Sequence, residues 1–248
     1  GHDLVLLGAG TQRIEKKIQK LFSSAKILRM DSDSVQSEQD HIDIIKDYEK
    51  QKADILIGTQ MIAKGLDFKN VTLVGVINAD ISLSSPDFRT GEKIFQLLYQ
   101  VCGRSGRHQK EGQAIIQTNS PDNAYIKMAA DLNVSKFYNM ELSNRFELQY
   151  PPSSRIVKIV IKGKALKEVI QTANKVKNTL IRSTLHVQGP IPAPIEKIKS
   201  LWRYLIIIKE DKTKNKGSSV FNSIDVLKLE KINKKVRVQF DVDPVSLL

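Results

Sequence analysis

Two adjacent prolines, in Tyr150-Pro151-Pro152, divide this chain into two stretches, each with its own pattern of strands and helices. Proline fixes φ and donates no backbone N–H, so a pair of them ends a helix and stiffens the backbone beyond it. Before the break, short apolar runs alternate with helix-spaced segments. Leu4-Val5-Leu6-Leu7, Lys26 to Met30, Ile55-Leu56-Ile57, Leu73 to Ile77 and Gly112 to Gln117 read as strands. Between them lie a helix running from Thr11 through Leu21-Phe22 and a second over Ser37 to Tyr48, with Ile42, Ile45 and Tyr48 at helical spacing. A third, strongly amphipathic, carries Ile94, Phe95, Leu97, Leu98 and Val101. The alternation predicts an α/β domain whose mostly parallel sheet is covered on both faces. Asn123 to Leu148 reads as helices that leave it.

After the break the pattern restarts. Ile156 to Ile161 is a strand and Leu166 to Ile181 a helix. A proline-punctuated stretch, Gly189-Pro190-Ile191-Pro192-Ala193-Pro194, leads to a strand over Tyr204 to Ile208. Lys209 to Ser218 is a polar, lysine-rich loop, Ser219 to Leu229 a helix and Val236 to Val242 a last strand. Strand, helix, strand or strands, helix, strand suits a small open α+β sandwich of the ferredoxin-like kind. The expected division is a first domain over 1–120, a helical connector over 121–150 and a second domain over 151–248, with no internal repeat.

Charge follows the same division. The 248 residues carry a net charge of +12. Residues 1–150 hold 19 basic and 19 acidic side chains, and residues 151–248 hold 20 basic and 8 acidic ones, so the whole excess sits in the second domain. A basic domain beside a neutral one points to a polyanion partner, nucleic acid first and an acidic membrane second. The plainer alternative is a lysine-rich, solvated surface. Candidate contacts are Lys197, Lys199 and Arg203 around Trp202, since an aromatic among cations can stack on a base while they meet phosphate, followed by Lys212, Lys214 and Lys216 in the loop. Trp202 reads equally well as a core residue at the start of a strand. No apolar run approaches the roughly 20 residues of a membrane span, and Gly1-His2-Asp3-Leu4 does not open a secretion signal. The single cysteine, Cys102, allows neither an internal disulfide nor a four-ligand zinc site of the usual kind. A cytoplasmic setting is expected, with no membrane partner.

Two strings carry chemistry. Gln100-Val101-Cys102-Gly103-Arg104-Ser105-Gly106-Arg107 closes the amphipathic helix with two arginines three apart, each after a glycine. Glycine permits close approach of a phosphate, and arginine supplies a planar, permanently charged fork that matches phosphoryl oxygens. Those are the requirements of an arginine finger, which neutralises charge growing on a transferred phosphoryl group. A basic helix C-terminus complementing the macrodipole is the bland alternative. Upstream, the strand Asp54 to Ile57 runs into Gly58-Thr59-Gln60 and then Lys64-Gly65-Leu66-Asp67-Phe68. A strand ending in Gly-Thr presents an N–H and a hydroxyl at the carboxyl edge of the sheet, where ligands bind. Asp67, beside the Gly65 turn, is an acceptor suited to a ribose hydroxyl or a sensing arginine.

Together these strings resemble motifs V and VI of superfamily-two helicases, and the similarity narrows to the primosomal protein N′ family. The residues that carry it are Ile57 to Phe68, Pro86-Asp87-Phe88-Arg89, Gln96 to Arg107, Gln117-Thr118, Tyr150-Pro151-Pro152, Pro192-Ala193-Pro194-Ile195 and Asp241-Val242-Asp243-Pro244, in that order. Family members usually have alanine where Cys102 and Ser105 stand. The resemblance implies a RecA-like second helicase lobe followed by a DNA-binding domain like ribosomal protein S10. It also implies a 3′→5′ DNA helicase that rebuilds stalled forks and reloads the replicative helicase. Its expected partners are forked and single-stranded DNA, the single-stranded-DNA-binding protein and other primosome proteins. By that match Arg104 and Arg107 reach the ATP phosphates, with Gly103 allowing close approach. Gln100 and Asp67 couple nucleotide to lobe closure, and Thr59 meets the DNA backbone. No Gly-x-x-x-x-Gly-Lys-Ser/Thr string and no Asp-Glu pair closing an apolar strand occurs in the sequence. The chain is therefore expected to hold half an ATPase site, with ATP and Mg²⁺ bound mainly by another lobe. The family's zinc-binding cysteines are expected just ahead of Gly1.

Two rival functions remain. Leu4 to Thr11 mimics a dinucleotide fingerprint, with Asp31 placed as a ribose-binding acid, although Arg13 stands where the third glycine should be. An NAD-dependent oxidoreductase would be the consequence. A non-catalytic nucleic-acid-binding module with a decayed motor lobe is the other.

Overall fold

The computed structural model describes residues 10–31, 33–35, 37–63, 70–103, 112–181, 186–212, 221–222, 225, 233 and 235–247. The chain forms two compact units, one of Gly1–Ser85 with Thr90–Phe137, the other of Pro86–Arg89 with Tyr138–Leu248.

The first unit runs α1 (Thr11–Leu21), β1 (Ile27–Met30), α2 (Glu38–Glu49), β2 (Ile55–Gly58), α3 (Gln60–Ala63), β3 (Leu73–Val76), α4 (Asp80–Leu83), α5 (Thr90–Cys102), β4 (Gln113–Ile116) and α6 (Ala124–Ala130). Helix α7 (Val134–Glu147) begins in this unit and ends in the second. Ser37 starts α2 through a capping box with Asp40, which satisfies two N-terminal donors at once. Asn123 caps α6 by accepting from Tyr125 N and Ile126 N. β1 and β2 pair in parallel, as do β3 and β4. The single sheet expected from the alternation is thus seen among the described residues as two two-stranded parallel pairs. The strand expected at Leu4–Leu7 lies outside the described residues. Cover on both faces is also incomplete among them, because Leu73 on β3 and Ile115 on β4 are each 57% exposed.

Helix α5 supplies much of this unit's core through Ile94, Phe95, Leu98 and Val101. Its neighbour α6 packs against it, and the Phe95 ring stacks on Phe137 with centroids 3.8 Å apart.

The second unit holds β5 (Ser154–Gly163), α8 (Leu166–Ile181), β6 (His186–Ile198), β7 (Leu201–Asp211) and β8 (Val236–Val242). The sheet order is β6-β7-β5-β8, with every neighbouring pair antiparallel. β5, α8 and β6 make a split β-α-β unit with β7 inserted between its strands. Alternate residues of β5 (Val157, Ile159, Ile161) and of β7 (Ile206, Ile208) meet Val169, Ala173, Val176 and Leu180 of α8 in one core. The opposite face carries the smaller cluster Val160, Ala193 and Leu205.

The proline stretch expected to lead into a strand is itself one, β6, thirteen residues long. It lies at the edge of the sheet, where a missing N–H costs no ladder bond, and its register shifts between Gln188/Ile191 and Pro192/Lys197. Most of the helix expected over Ser219 to Leu229 lies outside the described residues.

Candidate functional site

The upstream string begins at the carboxyl end of β2, where Gly58 pairs with Met30 of β1. A Cβ on Gly58 would stand 2.3 Å from the Met30 carbonyl oxygen and 2.4 Å from Ile62 Cδ1. Only glycine lets the strand end pass this close to β1 and still turn into α3. Thr59, the next residue, is exposed, and its carbonyl accepts from Ile62 N at 3.1 Å. Gly65 and Asp67 lie outside the described residues.

The second string closes α5. Leu98, Val101 and Cys102 are buried, which fixes the rotation of the helix and turns Gln100 outward to solvent. Burial pushes the Cys102 thiol up from its ordinary range, so it stays protonated at neutral pH and acts as a packing residue. Gly103 N donates to Tyr99 O at 2.9 Å, carrying the helical pattern one residue beyond Cys102. Arg104 and Arg107 lie outside the described residues. Helix α3, just after Thr59, packs against α5, which carries Gln100 and leads to Gly103.

In the second unit the group around Trp202 divides between the two faces of the sheet. Trp202 packs against the α8-side core, with Lys197 Nζ 4.7 Å from the centroid of its ring. Lys199 and Ser200 form the β6–β7 turn with φ of 48° and 64°. Arg203 points to the other face, and its Nη1 donates to Ile195 O at 3.2 Å. Residues adjacent along a strand point to opposite faces, and that parity was present in the numbers 202 and 203.

Two of the short strings also meet in this unit. Pro86–Arg89 falls within the stretch 1–120 but packs with the second unit, because the Phe88 ring stacks on Tyr150 at 5.1 Å and 10°. The Arg145 guanidinium lies 5.5 Å from the Phe88 centroid and Lys209 Nζ 3.8 Å from that of Tyr150. Asp87 is buried and accepts from Ser246 Oγ and, at 3.0 Å, from Arg89 N.

Comparison with known proteins agrees with both halves. Residues 1–109 match the family model of the helicase conserved C-terminal domain. Residues 146–245 match that of the primosomal protein N C-terminal domain. The chain is similar to the replication restart protein PriA of Bacillus subtilis, 38% identical over 244 residues, which are 97% of this chain and 30% of that protein. Its counterpart in Chlamydia pneumoniae is 37% identical over 96% of this chain and 32% of its own length. That of Borreliella burgdorferi is 38% identical over 96% and 36%. The chain belongs to the PriA family. It spans about a third of the length of the relatives it matches.

Membership in the PriA family leaves Asp31 to be explained, since the dinucleotide reading needed it for a ribose. Asp31 is buried, and both carboxylate oxygens are taken. Oδ2 accepts from Thr11 Oγ1 and faces Arg29 Nε at 3.1 Å, while Oδ1 accepts from Ser34 N at 2.9 Å and Asp33 N at 3.1 Å. The Thr11 hydroxyl, with smaller help from Ser34 and Arg29, outweighs burial and holds this carboxyl down at about 2. It is a turn-forming carboxylate with no lone pair directed at a ligand.

Asp80 is a residue that no motif in the sequence singles out. Its carboxylate accepts from Asn119 N at 2.7 Å and Thr118 Oγ1 at 2.8 Å, bonds that lower its pKa, the Asn119 N–H first. It thereby ties the end of β3 to Gln117-Thr118 after β4, and Gln117 O accepts from Ala79 N at 3.0 Å. An aspartate opening a helix, Asn78-Ala79-Asp80, was the available signal. Among the described residues no three His, Cys, Asp or Glu side chains converge as metal ligands, and no helix is long and apolar enough to cross a membrane.

Proposed function

We propose that this chain is the C-terminal part of an ATP-dependent 3′→5′ DNA helicase that recognises stalled replication forks and restarts replication by primosome assembly in the cytoplasm. The observation that carries the reading is α5. Its buried face is set by Phe95, Leu98 and Val101, and the Gly103-Arg104-Ser105-Gly106-Arg107 string follows it directly in the sequence. Gln100 faces solvent one turn earlier, and α3, with Thr59 before it, lies alongside. The names of the relatives, replication restart protein, support the same biological role.

On this reading residues 1–120 are the second RecA-like motor lobe, 121–150 a helical connector and 151–248 a DNA-binding domain. ATP with Mg²⁺, held mainly by the partner lobe, supplies the phosphoryl group that is transferred to water. Arg104 and Arg107 donate to its oxygens as negative charge builds on them. Gly65 and Gly103 admit the phosphates closely, Asp67 and Gln100 sense them, and Thr59 holds the DNA backbone. Zinc belongs to the rest of the protein. The sheet order β6-β7-β5-β8 with its split β-α-β unit supports a ferredoxin-like, ribosomal S10-like second domain. Forked and single-stranded DNA, the single-stranded-DNA-binding protein and other primosome proteins are the partners proposed.

The test is Arg104→Ala and Arg107→Ala in the intact protein. Each variant is expected to bind ATP nearly as before and to lose turnover on the order of 10³-fold, as removal of such a finger does elsewhere. Lysine at either position is expected to restore little, since it lacks the planar fork. Near-normal DNA-stimulated ATPase rates in both alanine variants would refute the assignment.

A further inference from the structure

Antiparallel pairing sets three cations side by side across the sheet of the second unit. Lys162 of β5 is the register partner of Arg203 on β7 and of Arg237 on β8. The three therefore form one row, Arg203–Lys162–Arg237, on the face opposite α8. Directly opposed side chains in such pairs have Cβ atoms about 5 Å apart, and like charges there destabilise the sheet.

Among the described residues no ion pair relieves the row: Glu196 of β6, next to Arg203 in the register, is exposed and forms none with it. Among the described residues Lys162 Nζ donates to the Gln239 amide oxygen at 3.3 Å and Arg203 Nη1 to the Ile195 carbonyl at 3.2 Å. Arg237 is exposed, and none of the three forms an ion pair among the described residues. Asp241 on this face sits two rows away and faces Lys158 Nζ at 3.5 Å. The remaining row between them is Leu205, Val160 and Gln239, which carries no charge.

Three cations held in register without an ion pair among the described residues offer a site to an anion from outside. We propose that Arg203, Lys162 and Arg237 form a phosphate-binding row for the backbone of a nucleic acid laid across β7, β5 and β8. The inference rests on the proposed DNA-binding role of the second domain and says which face performs it. The row spans two strand spacings, about 10 Å, a length that matches successive phosphates and not a single anion. The charge of the domain, 20 basic against 8 acidic residues, favours a polyanion. Phosphate contacts carry no sequence information directly, so binding through the row is insensitive to sequence.

The experiment uses the 248-residue chain, a labelled oligothymidylate and a range of salt concentrations. Replacing all three, as K162Q/R203Q/R237Q, is expected to weaken binding at low salt at least about tenfold. It should also flatten the slope of log affinity against log salt by about 2, near 0.7 for each single-strand phosphate no longer neutralised. The same variant should melt no lower than the parent, because binding weakens while like-charge repulsion in the sheet is relieved. Equal charge removal on the opposite face, Lys167→Gln with Lys175→Gln and Lys177→Gln on α8, should leave the slope in place. A triple variant with the parent's affinity and slope overturns the row while leaving DNA binding by the domain intact. A parent chain that binds no DNA at low salt overturns the domain's role and the row together. Oligoglutamate displacing the oligonucleotide as well as an oligophosphate of equal charge overturns the choice of nucleic acid over an acidic peptide. Should the triple variant fail to fold, Arg237→Gln alone decides: it is exposed, and its slope should fall by about 0.7.

Discussion

Gly58 and Asp31 stand at the carboxyl ends of neighbouring parallel strands, and each is fixed there by a different force. At Gly58 it is exclusion. With the Met30 carbonyl 2.3 Å and Ile62 Cδ1 2.4 Å from an added Cβ, neither β1 nor α3 can keep its place around alanine. Gly58→Ala is expected to cost about 1–3 kcal/mol, the usual range for overpacking, read as a lowered urea midpoint. On the proposed function, the DNA-stimulated ATPase of the intact protein should fall further than stability alone explains, because Thr59 moves with the strand end. At Asp31 the force is electrostatic. Its folded-state carboxyl sits at about 2, below the ordinary 3.8, so the ionised form stabilises the fold fully above that ordinary value. The contribution is lost as pH falls from about 4 toward about 2. Asp31→Asn should therefore lower the melting temperature at neutral pH and shrink the gap to the parent progressively across that acid window. A gap that stays constant from pH 7 to pH 2 would show that the carboxylate is not what holds the turn.

Among the elements, α5 does two jobs that pull in opposite directions at Gly91. An exposed helical glycine normally gains up to about 1 kcal/mol on replacement by alanine. Here a Cβ would lie 2.2 Å from Cζ of Tyr125, on the adjoining helix α6. The steric term wins, so Gly91→Ala should destabilise the chain, while in a Tyr125→Ala background the same change should become neutral or favourable. A denaturant double-mutant cycle checks this, and a strictly additive cycle would refute the close approach. β6 shows the complementary case, in which position in the sheet overrides local chemistry. Pro190, Pro192 and Pro194 argue against a strand anywhere but at an edge, and β6 is an edge.

For the whole molecule, the contrast between a neutral first stretch and a basic second one is also a division of labour. On the proposed function the first unit supplies groups to a phosphoryl-transfer site and the second holds DNA. A purified 248-residue chain should then bind oligothymidylate yet show no DNA-stimulated ATP hydrolysis, since its sequence has no phosphate-cradling Gly-x-x-x-x-Gly-Lys-Ser/Thr loop. Measurable turnover by that chain, free of contaminating ATPase, would overturn the division. Pro86–Arg89 shows that the boundary is not a single cut in the sequence. The stretch Pro86–Arg89 changes units because Phe88 finds Tyr150 and Asp87 finds Ser246, partners at sequence separations that no local pattern can report.

The sequence by itself determined the periodic elements, the asymmetry of charge and the two strings that mark the family. Each depends on neighbours along the chain: α8 is legible over Leu166–Ile181, and β8 over Val236–Val242, because helical and alternating spacing report which face is buried. Gln100 could be placed at the outward end of an amphipathic helix for the same reason. What only the tertiary structure decided is which residues of different elements share a face. Trp202 and Arg203 read as one cationic-aromatic group yet point to opposite sides of β7, one into the core beneath α8 and the other into a row with Lys162 and Arg237. Strand parity was available in the sequence, but strand register was not. Register is set by the packing of one whole sheet face against α8, which brings together residues 162, 203 and 237 across gaps no periodicity spans.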